Sequence, residues 1–195
     1  MNKLNTRKII LVTGASRSGK SEYAESLAMK TTKSVIYLAT AKTDPEDAQW
    51  QARIAQHQQR RPQNWQTETK FDADLSLYVA KASDTECLLI DSIGTWLANF
   101  LQLDRSDWSR ISHDFLTSIQ TSKADIILVG EETGWGVVPA YPSGRLFRDR
   151  LGYFSRQIAN IADTTYLVAG GHVLNLSLLG EPLSMALGKS EKKPL

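Results

Sequence analysis

The segment GASRSGKS, Gly14 to Ser21, constrains this chain more than any other. It satisfies G-x-x-x-x-G-K-[ST] and stands between an apolar run, KIILVTG (8–14), and a segment of helical character, SEYAESLAMK (21–30). Strand, loop and helix in that order are the context in which this spacing has a mechanism. Gly14 and Gly19 let the backbone curl through Ala15, Ser16, Arg17 and Ser18 until its N–H groups point at phosphate oxygens. Lys20 adds a cation, and the Ser21 hydroxyl offers a ligand to Mg²⁺ at the positive end of a helix. The pattern predicts a nucleoside triphosphate site.

Four more short apolar runs follow: SVIYLATA (34–41), ECLLIDSI (86–93), DIILVGEE (125–132) and TTYLVAG (164–170). Rich in β-branched residues and without polar alternation, they read as buried parallel strands. Between them, residues 45–60, 74–82, 108–120 and 144–163 have helical character. The alternation predicts an α/β fold of P-loop NTPase type, with a mainly parallel central sheet flanked by helices. At 195 residues a single domain over 1–180 is expected, with 181–195 as a flexible C-terminal tail. The Gly- and Pro-rich stretch TGWGVVPAYPSG (133–144) reads as a surface loop.

Composition excludes several classes. A formal charge of +2 is too small to argue for nucleic acid, and no apolar run reaches the ~20 residues of a membrane span. MNKLNTRK leads into a short strand instead of a signal-peptide core, so a cytoplasmic location is expected. Cys87 is the sole cysteine, which precludes a disulfide framework or thiolate metal site within one chain, and three scattered histidines do not suggest zinc.

Asp91 ends an apolar strand, and that strand end sets it beside the P-loop, where a carboxylate would hold Mg²⁺ directly or through water. The alternative is that Asp91 caps a helix beginning near GTWLANF. His57 lies in the stretch RIAQHQQRRPQNW, 53–65. On a helix over 45–60, Arg53 and Arg60 flank it, while Trp50 and Ile54 form a neighbouring stripe. Pro62 biases Arg61 out of helical geometry, so Arg61 marks the helix end. A histidine beside an apolar stripe fits a structural role. The arginines supply the other reading: they disfavour imidazolium, leave a nucleophilic nitrogen, and bind the phosphates it would attack.

VTGASRSGKSEYAE, IYLATA, RIAQHQQRRPQNWQT, GEETGWGVVP and RLFRDRLGYFSRQIANIAD occur in this order over residues 8–171. Together they resemble the bifunctional adenosylcobinamide kinase and adenosylcobinamide-phosphate guanylyltransferase family of cobalamin synthesis. R-I-x-x-H-x-x-x-R-P-x-x-W and E-x-G-x-G-x-V-P are the specific parts. The resemblance implies that His57 becomes guanylylated by GTP and that Lys20 serves phosphoryl transfer from ATP or GTP. It further implies adenosylcobinamide and adenosylcobinamide phosphate as substrates, Mg²⁺ as the metal, and a homotrimer. Glu132 fits the family loop as a corrinoid contact or a base for its hydroxyl; a solvated carboxylate is the plain alternative. The chain departs from the family pattern in places. The usual glycine pair is Gly14-Ala15, and a late Asn-Gln is Ser155-Arg156. The glutamate expected four residues after Trp65 is Thr69, with Glu68 one place earlier as the nucleotide contact. Two other readings stay open: a small-molecule kinase without guanylyl transfer, and a nucleotide-dependent regulatory switch.

Overall fold

The computed structural model describes residues 7–42, 46, 52, 55 and 59–186. Strands β1 (Ile9–Gly14), β2 (Ser34–Ala39), β3 (Gln66–Thr69), β4 (Glu86–Asp91), β5 (Asp125–Glu131), β6 (Thr164–Ala169) and β7 (His172–Asn175) form one sheet in the order β3-β2-β4-β5-β1-β6-β7. Every pairing is parallel except β6 with β7. That last pair is a hairpin closed by Gly170 and Gly171, whose φ values of 58° and 75° suit a tight two-residue turn. The five apolar runs are the five inner strands, as expected. β3 and β7 were not anticipated: Gln-Thr-Glu-Thr has no apolar face, and β7 is a short edge strand.

Helices α1 (Lys20–Ala28), α2 (Asp74–Lys81), α3 (Ile93–Ala98), α4 (Arg105–Thr121), α5 (Pro142–Ile161), α6 (Leu176–Leu179) and α7 (Leu183–Ala186) complete the described elements. The helix expected over 45–60 falls largely outside the described residues; Ala52, Ala55, Gln59 and Arg60 are helical. Of the expected tail, residues 183–186 form α7 and 187–195 lie outside the described residues. None of the described helices is long and apolar enough to cross a membrane.

Strand alternation divides the core in two. Ile9, Leu11, Ile36, Leu38, Leu88, Ile90, Ile126 and Leu128 face one side, where α2 to α5 pack. Helix α4 shows why it docks there: Trp108, Ile111, Phe115 and Ile119 recur at helical spacing and are buried, and Asp104 caps its start by accepting from Asp107 N–H at 2.9 Å. Trp96 of α3 sits at the centre, with Phe115 4.7 Å and Phe154 5.7 Å away between ring centroids. Its indole N–H donates to Asp72 O at 3.1 Å, so the large ring is buried without an orphaned donor. On the other side Val12, Val35, Tyr37, Leu89, Ile127 and Val129 pack under α1 through Ala24 and Ala28. Cys87 belongs to this face; burial pushes its thiol up to about 12, so it is no reactive group.

Trp96→Ala should therefore empty the centre of the larger core and cost about 3–5 kcal/mol of stability. Urea unfolding measures it; a loss below about 1 kcal/mol would mean that the aromatic cluster does not organise this side of the sheet.

Candidate functional site

β1 ends at Gly14, and the chain must turn there in a confined space. A Cβ on Gly14 would stand 2.5 Å from Val168 O and 2.6 Å from Ser18 Oγ, so only glycine fits. Arg17 (φ 58°) and Gly19 (φ 94°) then take left-handed conformations that wrap the loop round before α1 begins at Lys20. Ser18 Oγ is buried without a hydrogen-bond partner among the described residues. Lys20 is buried and donates to Ala15 O at 3.2 Å, across the mouth of the loop. Ser21 follows on the first turn of α1, and the helix N-terminus adds its partial positive charge. The loop is a phosphate cradle with a cation folded over it.

Asp91 ends β4, but β5 stands between β4 and β1, so Asp91 is not on the strand next to the P-loop. The residue that caps α3 is Ser92. Its hydroxyl accepts from Thr95 N–H, and the Thr95 side chain returns the bond to the Ser92 N–H at 3.2 Å. Fully buried Thr40 secures this corner, donating to Ser92 O at 2.6 Å and accepting from Ser92 N–H at 2.8 Å. Relieved of the cap, the Asp91 carboxylate follows Cys87 and Leu89 onto the α1 face, where Tyr37 Oη donates to it at 3.1 Å. Burial pushes the Tyr37 phenol above its ordinary value, with the Asp91 charge adding to it, so that hydroxyl stays a donor.

The strand between carries a carboxylate that the sequence reading passed over. Glu131, paired in register with Gly14, accepts from Gly94 N–H at 2.9 Å and from the Ser92 hydroxyl. It lies within electrostatic reach of Lys20 and Asp91. Burial raises its pKa from 4.5, against the opposing pull of the Ser92 hydrogen bond and Lys20. Strand parity puts 131 in line with Ile127 and Val129 of the α1-side core, yet its carboxylate is bonded at the start of α3. Glu132, the residue expected to act, is half-buried; it accepts from Thr13 Oγ1 at 2.7 Å, and its N–H donates to Gly14 O at 3.0 Å.

Arg60 and Arg61 reach the α1 face. Arg60 pairs with Glu22 at 2.7 Å and with Glu25 at 3.3 Å. The Arg61 guanidinium lies 3.7 Å over the Tyr37 ring and donates to Thr67 Oγ1 at 3.2 Å. Glu68 is not brought into this cluster. Its register partner Leu38 belongs to the larger core, and its charge acts on Tyr78 of α2. Thr69 shares the face of Tyr37 and Ala39. Ser155 Oγ is buried without a partner among the described residues, and Arg156 packs 5.3 Å from the Tyr153 ring. His57 lies outside the described residues.

Ser21 and Asp91 are hard oxygen donors, as Mg²⁺ requires. Among the described residues no group of three or more His, Cys, Asp or Glu side chains could hold a metal ion.

Residues 10–176 match the family described as cobinamide kinase / cobinamide phosphate guanyltransferase. Over 180 residues the chain is 38% identical to the bifunctional adenosylcobalamin biosynthesis protein CobP of Pseudomonas aeruginosa, covering 89% of this chain and 98% of that one. The bifunctional adenosylcobalamin biosynthesis protein CobU of Escherichia coli is 32% identical over 177 residues, covering 84% and 96% respectively. Among solved structures, a prototypical ATPase from the type III secretion system of pathogenic bacteria superposes with a TM-score of 0.50. At 12% identity over 88% of this chain and 53% of that one, it shows a shared fold alone.

The raised pKa of Glu131 has a consequence for stability. The folded protein holds this proton more tightly than the unfolded chain, so its contribution is fully present below the unfolded value and lost as pH rises through the folded one. Glu131→Gln should flatten the fall in stability across a window that opens at about 4.5 and extends upward. Urea unfolding at a series of pH values reads this; identical profiles would contradict burial as the cause.

Proposed function

The chain belongs to the cobinamide kinase / cobinamide phosphate guanyltransferase family, and from that premise we propose how it performs two reactions at one triphosphate cradle. First it phosphorylates adenosylcobinamide with ATP or GTP. It then transfers GMP from GTP, through a guanylylated His57, to adenosylcobinamide phosphate, giving adenosylcobinamide-GDP. The observation that carries this reading is that α1, which starts in the phosphate loop with Lys20 and Ser21, also grips Arg60, three residues after His57.

In the kinase step the hydroxyl oxygen of the acceptor attacks the terminal phosphorus and the nucleoside diphosphate leaves. Lys20 and the backbone N–H groups of the loop stabilise the charge on the transferring group. Glu132 takes the hydroxyl proton, a role supported by its half-buried position against the first glycine of the loop. Ser21 and Asp91 would hold Mg²⁺, which supplies charge neutralisation between phosphates when bound. In the transferase step an imidazole nitrogen of His57 attacks the α-phosphorus of GTP and pyrophosphate leaves. A phosphate oxygen of adenosylcobinamide phosphate then attacks the phosphoramidate phosphorus and frees the histidine. The relay divides one attack of anion on anion into two steps.

The corrinoid is assigned to the loop 133–144 beyond β5, at the carboxyl end of the sheet where α/β folds bind ligands. Support comes from its apolar surface: Trp135 is 72% and Val137 94% exposed. Arg60 and Arg61, which reach the α1 face, are the remaining nucleotide contacts. We place the reactions in the cytoplasm and the assembly as a homotrimer, with exposed Leu178 and Leu179 on α6 as subunit-contact surface.

Replacing His57 by Ala separates the reactions. The phosphate loop remains, so phosphorylation of adenosylcobinamide should continue while guanylyl transfer stops. Both are followed by chromatography of the corrinoid products. Guanylyl transfer that survives in His57→Ala would show that another residue is the nucleophile.

A further inference from the structure

Arg60 is read as a phosphate contact, yet two carboxylates of α1 hold it, and they are not equivalent. The Glu22 side chain is 62% exposed, and an ion pair in that setting contributes little. The Glu25 side chain is 3% exposed, and a carboxylate there needs a cation to remain charged. Burial raises its pKa, and Arg60 is the strongest influence in the opposite direction. Glu25 follows Ser21 by one turn of α1, so it stands on the face that carries the metal-ligating hydroxyl. The same stretch of chain is fixed from the sheet side by Arg61 over Tyr37, whose hydroxyl donates to Asp91. Two adjacent arginines thus tie the end of the His57 segment to both walls of the cradle.

We infer that Glu25 is a positioning residue for guanylyl transfer: through Arg60 it holds the chain that follows His57 against the helix that cradles the triphosphate. The inference rests on the reading of His57 as nucleophile and adds a side chain with no part in binding nucleotide or corrinoid. Attack on the α-phosphorus requires an imidazole nitrogen in line with the leaving pyrophosphate, and such alignment is lost with displacements of about 1 Å. A buried ion pair suits this task because its geometry is narrow and its rupture leaves an uncompensated charge. The kinase step needs Lys20 and the loop but not His57, so Glu25 distinguishes the two reactions.

The experiment compares full-length wild type, Glu25→Gln, Arg60→Gln and the double variant. Rates of GMP adduct formation with GTP and Mg²⁺ are measured beside rates of adenosylcobinamide phosphorylation, and circular dichroism reports that each variant is folded. In Glu25→Gln, adduct formation should fall about 10–100-fold. Phosphorylation should stay within about twofold of wild type. In the Arg60→Gln background, removing Glu25 should have no further effect on the adduct rate. Should Glu25→Gln not fold, Glu25→Asp keeps the charge one methylene short and is expected to show the same split. An adduct rate equal to wild type overturns the inference, as does a proportional loss of both activities, which marks a purely structural carboxylate. An undiminished Glu25 effect without Arg60 overturns it too. If wild type itself forms no adduct, the His57 reading fails and takes the inference with it; a wild-type adduct with an indifferent Glu25 refutes the inference alone.

Discussion

How closely α1 approaches the sheet decides where every charged group of the site stands. Ala24 and Ala28 have no exposed surface and rest on Val12, Val129 and their neighbours, so the helix lies nearer the strands than larger residues would allow. Its start is set by Gly14, which admits no side chain, and by Gly19 in a left-handed conformation. With both ends fixed, Lys20 folds over the loop and Glu25 is buried against Arg60. A larger residue at 24 or 28 would move both at once.

The opposite corner is held by polar contacts. Thr40, Ser92, Thr95 and Glu131 satisfy one another at the carboxyl ends of β2, β4 and β5, where the backbone leaves the sheet. A buried polar group left unpaired costs about 1–3 kcal/mol, so this corner is stable as a complete set and weak as a partial one. Ser92 belongs to that network, and Asp91 beside it faces the other way, towards Tyr37 and α1. The direction of one side chain separates a structural residue from a functional candidate.

Much of this was legible in residue order, for reasons that differ by element. Apolar runs without alternation identified the five inner strands because strands covered on both faces have no polar side to display. Gln66–Thr69 carried no such signal; its strand conformation comes from pairing with β2, a tertiary effect. The turn from Gly14 to Lys20 was readable, since its conformation follows from local geometry. Whether Asp91 or Ser92 caps α3 was not readable, because both residue types accept at a helix start. Glu132 was singled out by the loop motif and Glu131 was not; the structure bonds Glu131 at the start of α3 and Glu132 to Thr13. The ion pairs of Arg60 join positions 35 and 38 residues apart, and helical spacing within 45–60 contains nothing about them.

Two reactions share one cradle in this reading, and the central claim is that the chain itself carries the guanylyl group. Intact-mass measurement of wild-type protein after incubation with GTP and Mg²⁺ tests this most directly. The account predicts one added GMP per chain, formed with release of pyrophosphate, stable in base and lost in acid as a phosphoramidate on imidazole should be. An unchanged mass in protein that still phosphorylates adenosylcobinamide would contradict it and leave a kinase alone.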